Sequence, residues 1–383
     1  MRLLVLSDIH IGSIKDVMYV YNVITEIFDN ELILNKCDAV IILGDYFHKV
    51  MRLNEEYTSL AINIMSYLVR TCKKSKTKIR LLYGTESHES QQYRIFNYFM
   101  TDPDIDFKVI DTVCIEKLFP NVRVLYVPEE YVDSKEKYYH DYLYSDNQYD
   151  YIFLHGVIVE GMPQISYDPS PKSNEKKVPH FKSKELSSIS RICIAGHEHS
   201  FKDMGDDCYY LGSLFRDSFG EEEPKGYGII EDGKFTFVEN KKAYVYKTYT
   251  YDDSSDVYQS ADNILREINK IKEENSDIFD GRLSGKIRVI FKTPKDIDST
   301  FKENVRTLLF NDKYISSMIK EPSEIMSELQ ETIDEGFDFV LDNSLSITDK
   351  IHMYITRQYN SNISLDELTG YINEEFKMDK YEI

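Results

Sequence analysis

Five short clusters in the sequence combine residue types that bind cations. They are Asp8-Ile9-His10, Gly44-Asp45-Tyr46-Phe47-His48, the segment Gly84 to Glu89 with His88, Leu154-His155-Gly156, and Gly196-His197-Glu198-His199. Together they offer aspartate oxygens and imidazole nitrogens but no thiolate. Calcium and magnesium prefer all-oxygen sets, so this mixture suits manganese, iron or zinc. Two Asp and four or more His are too many donors for one ion of four to six ligands. Two ions about 3.5–4 Å apart would use them all, activating water and clamping a phosphoryl group. A shared carboxylate would bridge such a pair, and Asp45 at the second strand end is the best candidate.

The clusters lie far apart in the chain, so secondary structure must bring them together. Leu3 to Leu6, Ala39 to Leu43, Ile79 to Tyr83, Val122 to Val127, Tyr151 to Leu154 and Ile192 to Ala195 read as buried strands. Amphipathic stretches from Val17 to Phe28 and Glu55 to Arg70 read as helices between the first of them. This alternation predicts βαβ units in a layered α/β domain. Six of the nine histidines then fall at or just after the carboxyl end of a strand, where loops of an α/β sheet converge on one crevice. The stretch Cys208 to Val238 has short connections and predicts a second, more antiparallel sheet.

Residues 245–320 repeat the cycle on a smaller scale. Val245 to Tyr251 reads as a strand, and Val257, Ala261, Ile264, Ile268 and Ile271 hold one helical face. Ile287, Val289 and Phe291 alternate as a strand, followed by a helix near Val305 to Phe310 and a strand around Tyr314 to Ile319. From about Ser323 helices are expected, with stripes of Ile347, Ile351 and Ile355 and of Leu365, Leu368, Ile372 and Phe376 after a Ser364–Glu367 capping box. Between Gly161 and Lys184, four prolines and five lysines without apolar period read as a surface loop or a basic arm for a phosphate backbone.

Composition excludes several classes. The 383 residues, 42% hydrophobic and 29% charged, describe a globular chain of two or three domains. No apolar run reaches the ~18 residues of a membrane span. Met1 to Leu6 is too short an apolar stretch for a signal peptide, and five cysteines without a CxxC pair fit a reducing cytoplasm. The formal net charge of −20 would repel a polyanion. However, residues 321–383 hold fifteen acidic and four basic side chains, so the body before them is nearly balanced. Nucleic acid therefore stays open as a substrate.

In their order, DxH, GDxxH, a Gly-to-His element, His-Gly and GHxH, these clusters resemble the motifs of the calcineurin-like metallophosphoesterases. Within that superfamily the sequence most resembles the SbcD-type nuclease subunit of the DNA double-strand-break repair complex, including versions carried by large phages. Gly44-Asp45-Tyr46-Phe47-His48 is similar to that branch's GDLFH. Tyr210-Leu211-Gly212-Ser213, Ser218-Phe219-Gly220-Glu221 and Lys225-Gly226-Tyr227 resemble the stretch that follows GHxH there. The resemblance implies a layered α/β/β/α sandwich over residues 1–244, an α+β cap that binds DNA over 245–320, and a helical ATPase-binding segment over 321–383.

It also implies roles. Asp8, His10, Asp45 and His199 would hold one ion, and Asp45, His155 and His197 the other. His88 would protonate the leaving oxygen, and His48 would orient the phosphate or His88. One segment departs from the family, whose third motif is GNHD or GNHE with Asn on the second ion. Here Gly84-Thr85-Glu86-Ser87-His88-Glu89 has no asparagine and two extra residues. Aligning on His88-Glu89 puts Ser87 in the asparagine's place. Glu86 reaching in, or a remodelled loop in which neither ligates, are the alternatives.

The reading is thus a two-manganese DNA exonuclease and endonuclease, with magnesium or other divalent ions as alternatives. It would be cytoplasmic and homodimeric through the early helices, and partnered through its acidic tail with an SbcC-like, SMC-type ATPase. A stand-alone phosphatase or cyclic-nucleotide phosphodiesterase with the same site is the rival reading, and a weakly catalytic DNA- or partner-binding subunit is another.

Overall fold

Apolar runs without alternation imply strands covered on both faces, and the structure shows how each face is covered. In this computed structural model the described residues are 1–320 apart from 53–54, 145, 162–177, 253, 293–298 and 310–311. Strands β1 (Arg2–Leu6), β2 (Ala39–Ile42), β3 (Lys78–Leu82) and β4 (Phe107–Ile110) come first, with helices α1 (Val17–Phe28) and α2 (Glu56–Ser75) in the first two crossovers. Next come β5 (Cys114–Phe119), β6 (Val122–Val127), β7 (Tyr149–His155), β8 (Val157–Ile158), β9 (His180–Phe181) and β10 (Ser190–Gly196). β11 (Lys202–Asp203), β12 (Cys208–Tyr210), β13 (Gly226–Glu231) and β14 (Lys234–Glu239) follow. All six strands expected from the sequence are present. Helix α2 runs past the expected Arg70 because Cys72 continues its buried stripe, and it stops at Lys76 in a left-handed conformation.

Two six-stranded sheets result, in the orders β14-β13-β1-β2-β3-β4 and β11-β12-β10-β7-β6-β5. The period-two geometry of a strand sends alternate side chains to opposite faces. Leu3 and Val5 of β1, with Ala39 and Ile41 of β2, meet Val124, Tyr126, Phe153 and Ile194 from the other sheet in a core between the sheets. Leu4, Leu6, Val40 and Ile42 face outward instead, onto Val20, Val23 and Ile24 of α1 and Leu60, Ile64 and Leu68 of α2. On the far side Ile152, Leu154, Cys193 and Ala195 pack beneath Tyr139, Leu143 and Leu186. The layering is α/β/β/α.

One expectation fails. Cys208 to Val238 forms no sheet of its own. β12 joins the second sheet parallel to β10, whereas β13 pairs antiparallel with β1 and β14 with β13 in the first. Each sheet would otherwise expose the backbone of β10 or β1 as an open edge, and one crossing segment covers both.

The chain divides into two compact units, residues 1–248 with 274–288, and 249–273 with 289–383. The second holds the outer ends of β15 (Val245–Tyr251) and β16 (Gly285–Lys292), which join β17 (Ile315–Lys320) in a three-stranded sheet. Helix Ala261–Glu274 buries Ile264, Ile268 and Ile271, and helix Ser299–Leu308 buries Phe301 and Val305. Phe291 meets Phe301 edge-on at 5.4 Å. Phe310, most of the proline- and lysine-rich loop, and the acidic tail with its two apolar stripes lie outside the described residues. No helix among those described is long and apolar enough to cross a membrane.

Candidate metal centre

The carboxyl ends of β1, β2, β3, β7 and β10 carry the sequence clusters to one place, within the first unit. Beyond β1 and β2 the loops stay zipped by backbone hydrogen bonds, from His10 N to Asp45 O at 3.0 Å and from Ile11 N to Tyr46 O at 2.9 Å. Asp8, His10, Asp45 and His197 all have positive φ, from 46° to 93°. Such backbone is costly for residues with a side chain and persists where surrounding structure enforces it. Gly44 (φ +100°) is glycine by necessity, since a Cβ there would lie 2.6 Å from His155 Nδ1 and 2.7 Å from Gly84 Cα.

Two adjoining donor groups form. In the first, His10 Nε2 lies 3.0 Å from His199 Nε2 and 3.9 Å from Asp8 Oδ1. In the second, His155 lies beside Asp45, and His197 Nδ1 is 3.4 Å from Glu129 Oε2. Asp45 stands between them, with Oδ2 3.8 Å from His10 Nε2 and 3.5 Å from His155 Nε2. The ligand atoms of Asp8, Asp45 and His155 lie within 4.8 Å of one another, as do those of Asp8, His10 and His199. His88 and His48 sit at the rim, grouped with His10, and the His88 ring is 4.8 Å from that of His10.

Supporting contacts hold these groups. His155 Nδ1–H donates to Leu43 O at 2.6 Å, which turns Nε2 toward Asp45. Asp45 Oδ1 accepts from Thr85 N at 2.6 Å, and Asp8 accepts from Ser7 Oγ and from His197 N. His88 Nδ1–H donates to the His48 carbonyl. Buried Glu89 accepts from Tyr46 N at 2.6 Å. Burial and the charge of Asp45 raise the Glu89 carboxyl to about 8. The fully buried Lys225 ammonium donates to His199 O at 2.8 Å and pairs with Glu221 at 2.6 Å.

The electrostatics ask for cations. Asp8, Asp45 and Glu129 are 1–4% exposed, and imidazoles are their only ion-pair partners among the described residues. Burial opposes protonation of His155, yet Asp45 raises it to about 10. Burial likewise opposes protonation of His199, which Glu221, Asp8 and Asp217 raise to about 9. Burial pushes His10 well below its usual value, with the neighbouring imidazoles adding to this against Asp45, and its Nδ1 has no hydrogen-bond partner among the described residues. Buried charges are normally paired or metal-bound, and this mixed O/N donor set fits divalent transition metals. Fit is met.

Of the residues singled out in the sequence, Asp8, His10, Asp45, His48, His88, His155, His197 and His199 are brought together. Ser87 is not. It is exposed on the short helix α3 (Glu86–Glu89), and no hydrogen bond ties it to the cluster. Glu86 is exposed too and accepts from Tyr83 OH. Thr85 occupies the interior instead, its Oγ1 3.2 Å from Asp45 Oδ2 and 3.3 Å from both Glu129 Oε2 and His155 Nε2. Thr85, not Ser87, is therefore the residue of this loop that reaches Asp45. Glu129 was also missed. Its signal was available, because it lies two residues past the expected strand Val122–Val127, at a strand end like the others.

The family model for the calcineurin-like phosphoesterases matches residues 1–201. No curated protein matches the sequence. One solved chain is 12% identical, with 63% of this chain and 99% of that chain covered at a TM-score of 0.36, a likeness too slight to carry an argument.

Proposed function

The chain belongs to the calcineurin-like phosphoesterase family, and from that premise we propose that it is a two-metal-dependent DNA nuclease, the nuclease subunit of an SbcC/SbcD-like ATPase–nuclease complex that processes DNA ends in repair and recombination. The observation that carries the two-ion reading is Asp45 Oδ2 standing between His10 Nε2 and His155 Nε2, at 3.8 and 3.5 Å. The choice of DNA is supported by the similarity of GDYFH and of the Tyr210–Tyr227 stretch to the SbcD branch. Part of that stretch has a physical task here, since Ser213 N and Lys225 Nζ both donate to His199 O.

Asp8, His10, Asp45 and His199 would hold one ion, and Asp45, His155 and His197 the other. When bound, two manganese or similar divalent ions supply Lewis-acid polarisation of the phosphodiester and activation of water. The chain's own residues do the rest. Hydrogen bonds from Thr85, Ser7 and His197 fix the carboxylates. His88, tied through Nδ1–H to the His48 carbonyl, would protonate the departing sugar oxygen as water adds to phosphorus and the P–O bond breaks. Such general-acid help is worth about 10²–10⁴-fold. His48, lowered by burial and by the neighbouring His88 and Lys49, stays neutral and orients the phosphate or His88. The acidic segment 321–383 docks on the ATPase, and the early helices pair two copies.

The test is cleavage of linear duplex DNA in manganese and in magnesium, with and without a co-expressed ATPase. Manganese-dependent cleavage is expected. Strong turnover of a small phosphomonoester with none of DNA would overturn the nuclease reading in favour of a stand-alone phosphatase.

A further inference from the structure

We propose that Glu129 is itself a ligand of the second ion, alongside Asp45, His155 and His197; this rests on the two-ion reading above. The argument begins with topology. β10, β7 and β6 are neighbours in one sheet, parallel to one another. Each delivers one side chain just past or at its carboxyl end: His197, His155 and Glu129. Their ligand atoms lie within 4.8 Å of one another.

The position of Glu129 is held from both sides. Its own N–H donates to Tyr83 O at 3.2 Å, tying the end of β6 to the end of β3. Oε1 accepts from Tyr131 OH at 3.3 Å, which leaves Oε2 facing His197 Nδ1 at 3.4 Å and Thr85 Oγ1 at 3.3 Å. The residue is 4% exposed, and among the described residues no ammonium or guanidinium lies within ion-pair distance of it. A carboxylate so buried needs a cation. Thr85 cannot answer that need, because its hydroxyl has one proton to donate between Asp45 and Glu129. With its backbone N–H on Asp45 Oδ1, its hydroxyl donates to one carboxylate at a time and leaves coordination to them.

Glu129 adds a third carboxylate, after Asp8 and Asp45, to the centre. An anionic oxygen at the second position favours a harder ion such as manganese or magnesium over zinc there.

The experiment is manganese binding to the full-length chain, by equilibrium dialysis and by the EPR signal of an exchange-coupled pair, with circular dichroism to show that each variant is folded. The wild-type chain should take two ions and show the coupled signal. Glu129→Ala should keep one and lose the other, with a drop in second-ion affinity beyond the ~100-fold that an outer-shell partner can account for. Thr85→Val should stay within that range. Glu129→Gln keeps the size and loses the charge; it should also bind the second ion beyond ~100-fold more weakly than wild type, and it carries the test should Glu129→Ala fail to fold. A loss of ~100-fold or less in Glu129→Ala, or in Glu129→Gln where Glu129→Ala does not fold, or a larger one in Thr85→Val, overturns the assignment while leaving a two-ion wild type intact. A wild-type chain that never holds two ions overturns the two-ion reading and this proposal with it.

Discussion

Replacing Gly44 by alanine tests whether the centre is as tightly built as its geometry implies. Two costs add. Gly44 has φ +100°, and holding a residue with a Cβ in such a region costs about 1–3 kcal/mol. The Cβ itself would lie 2.6 Å from His155 Nδ1 and 2.7 Å from Gly84 Cα, against a comfortable separation of about 3.5–4.0 Å. Something must therefore move by roughly 1 Å, and overpacking of that kind costs another ~1–3 kcal/mol. The sum, about 2–6 kcal/mol, is a large part of the ~5–15 kcal/mol that holds a domain folded. His155 cannot yield freely, because its Nδ1–H is held by the carbonyl of Leu43, the residue just before the substitution. A displacement of about 1 Å at a reacting site costs ~10²-fold in rate. Gly205→Ala is the control, since Gly205 has φ +81° with nothing within 4 Å of a Cβ; it carries the strain and not the clash. Denaturant melts, manganese binding and hydrolysis of a chromogenic phosphodiester should show Gly205→Ala mildly destabilised with full activity, and Gly44→Ala impaired on all three. Equal stability of the two variants, with metal binding and hydrolysis retained in Gly44→Ala, would refute the reasoning.

Asp45→Asn removes the charge shared by the two donor groups and should cost both manganese ions, measured by elemental analysis after dialysis; loss of one ion alone would remove the bridge. His88→Ala should retain its metal while losing about 10²–10⁴-fold in cleavage, and metal lost with activity would show a different role. Deleting Ser344 to Ile383 should abolish association with the ATPase in a pull-down while sparing manganese-dependent cleavage of short DNA. Far from the centre, Arg80 is 1% exposed and donates twice to Glu116, at 2.7 and 2.8 Å. Glu116→Ala leaves that guanidinium with Asp106 and two carbonyls, and should destabilise by about 3 kcal/mol. Burial alone would raise Glu116, but the hydrogen bonds of Arg80 and Lys108 hold it below the usual carboxylate range. Its stabilisation is therefore present above the unfolded value, about pH 4.3, and is lost as pH falls through the folded one. Melts from pH 7 to 2 should show the wild-type advantage over Glu116→Ala shrinking only in that acid range.

The strands and most of the centre are legible in the residues alone. A run such as Ala39-Val40-Ile41-Ile42, short and mostly β-branched, reads as a strand covered on both faces, and that is a property of adjacent residues. Because loops at the carboxyl ends of such strands converge, Asp8, His10, Asp45, His155, His197 and His199 could be assigned to one crevice before any coordinates. Tertiary structure decided what depends on how separate loops pack. Ser87 and Thr85 are both short hydroxyl side chains in one loop, and no local pattern says which turns inward. The hydrogen bond from Thr85 N to Asp45 settles it, and that bond exists only once β2 and β3 lie side by side. Glu129 became part of the centre for the same reason, since β6, β7 and β10 must be adjacent before their ends can meet. The division of β12 and β13 between two sheets was likewise out of reach, because strand pairing is a choice between distant edges that a period of two residues does not encode.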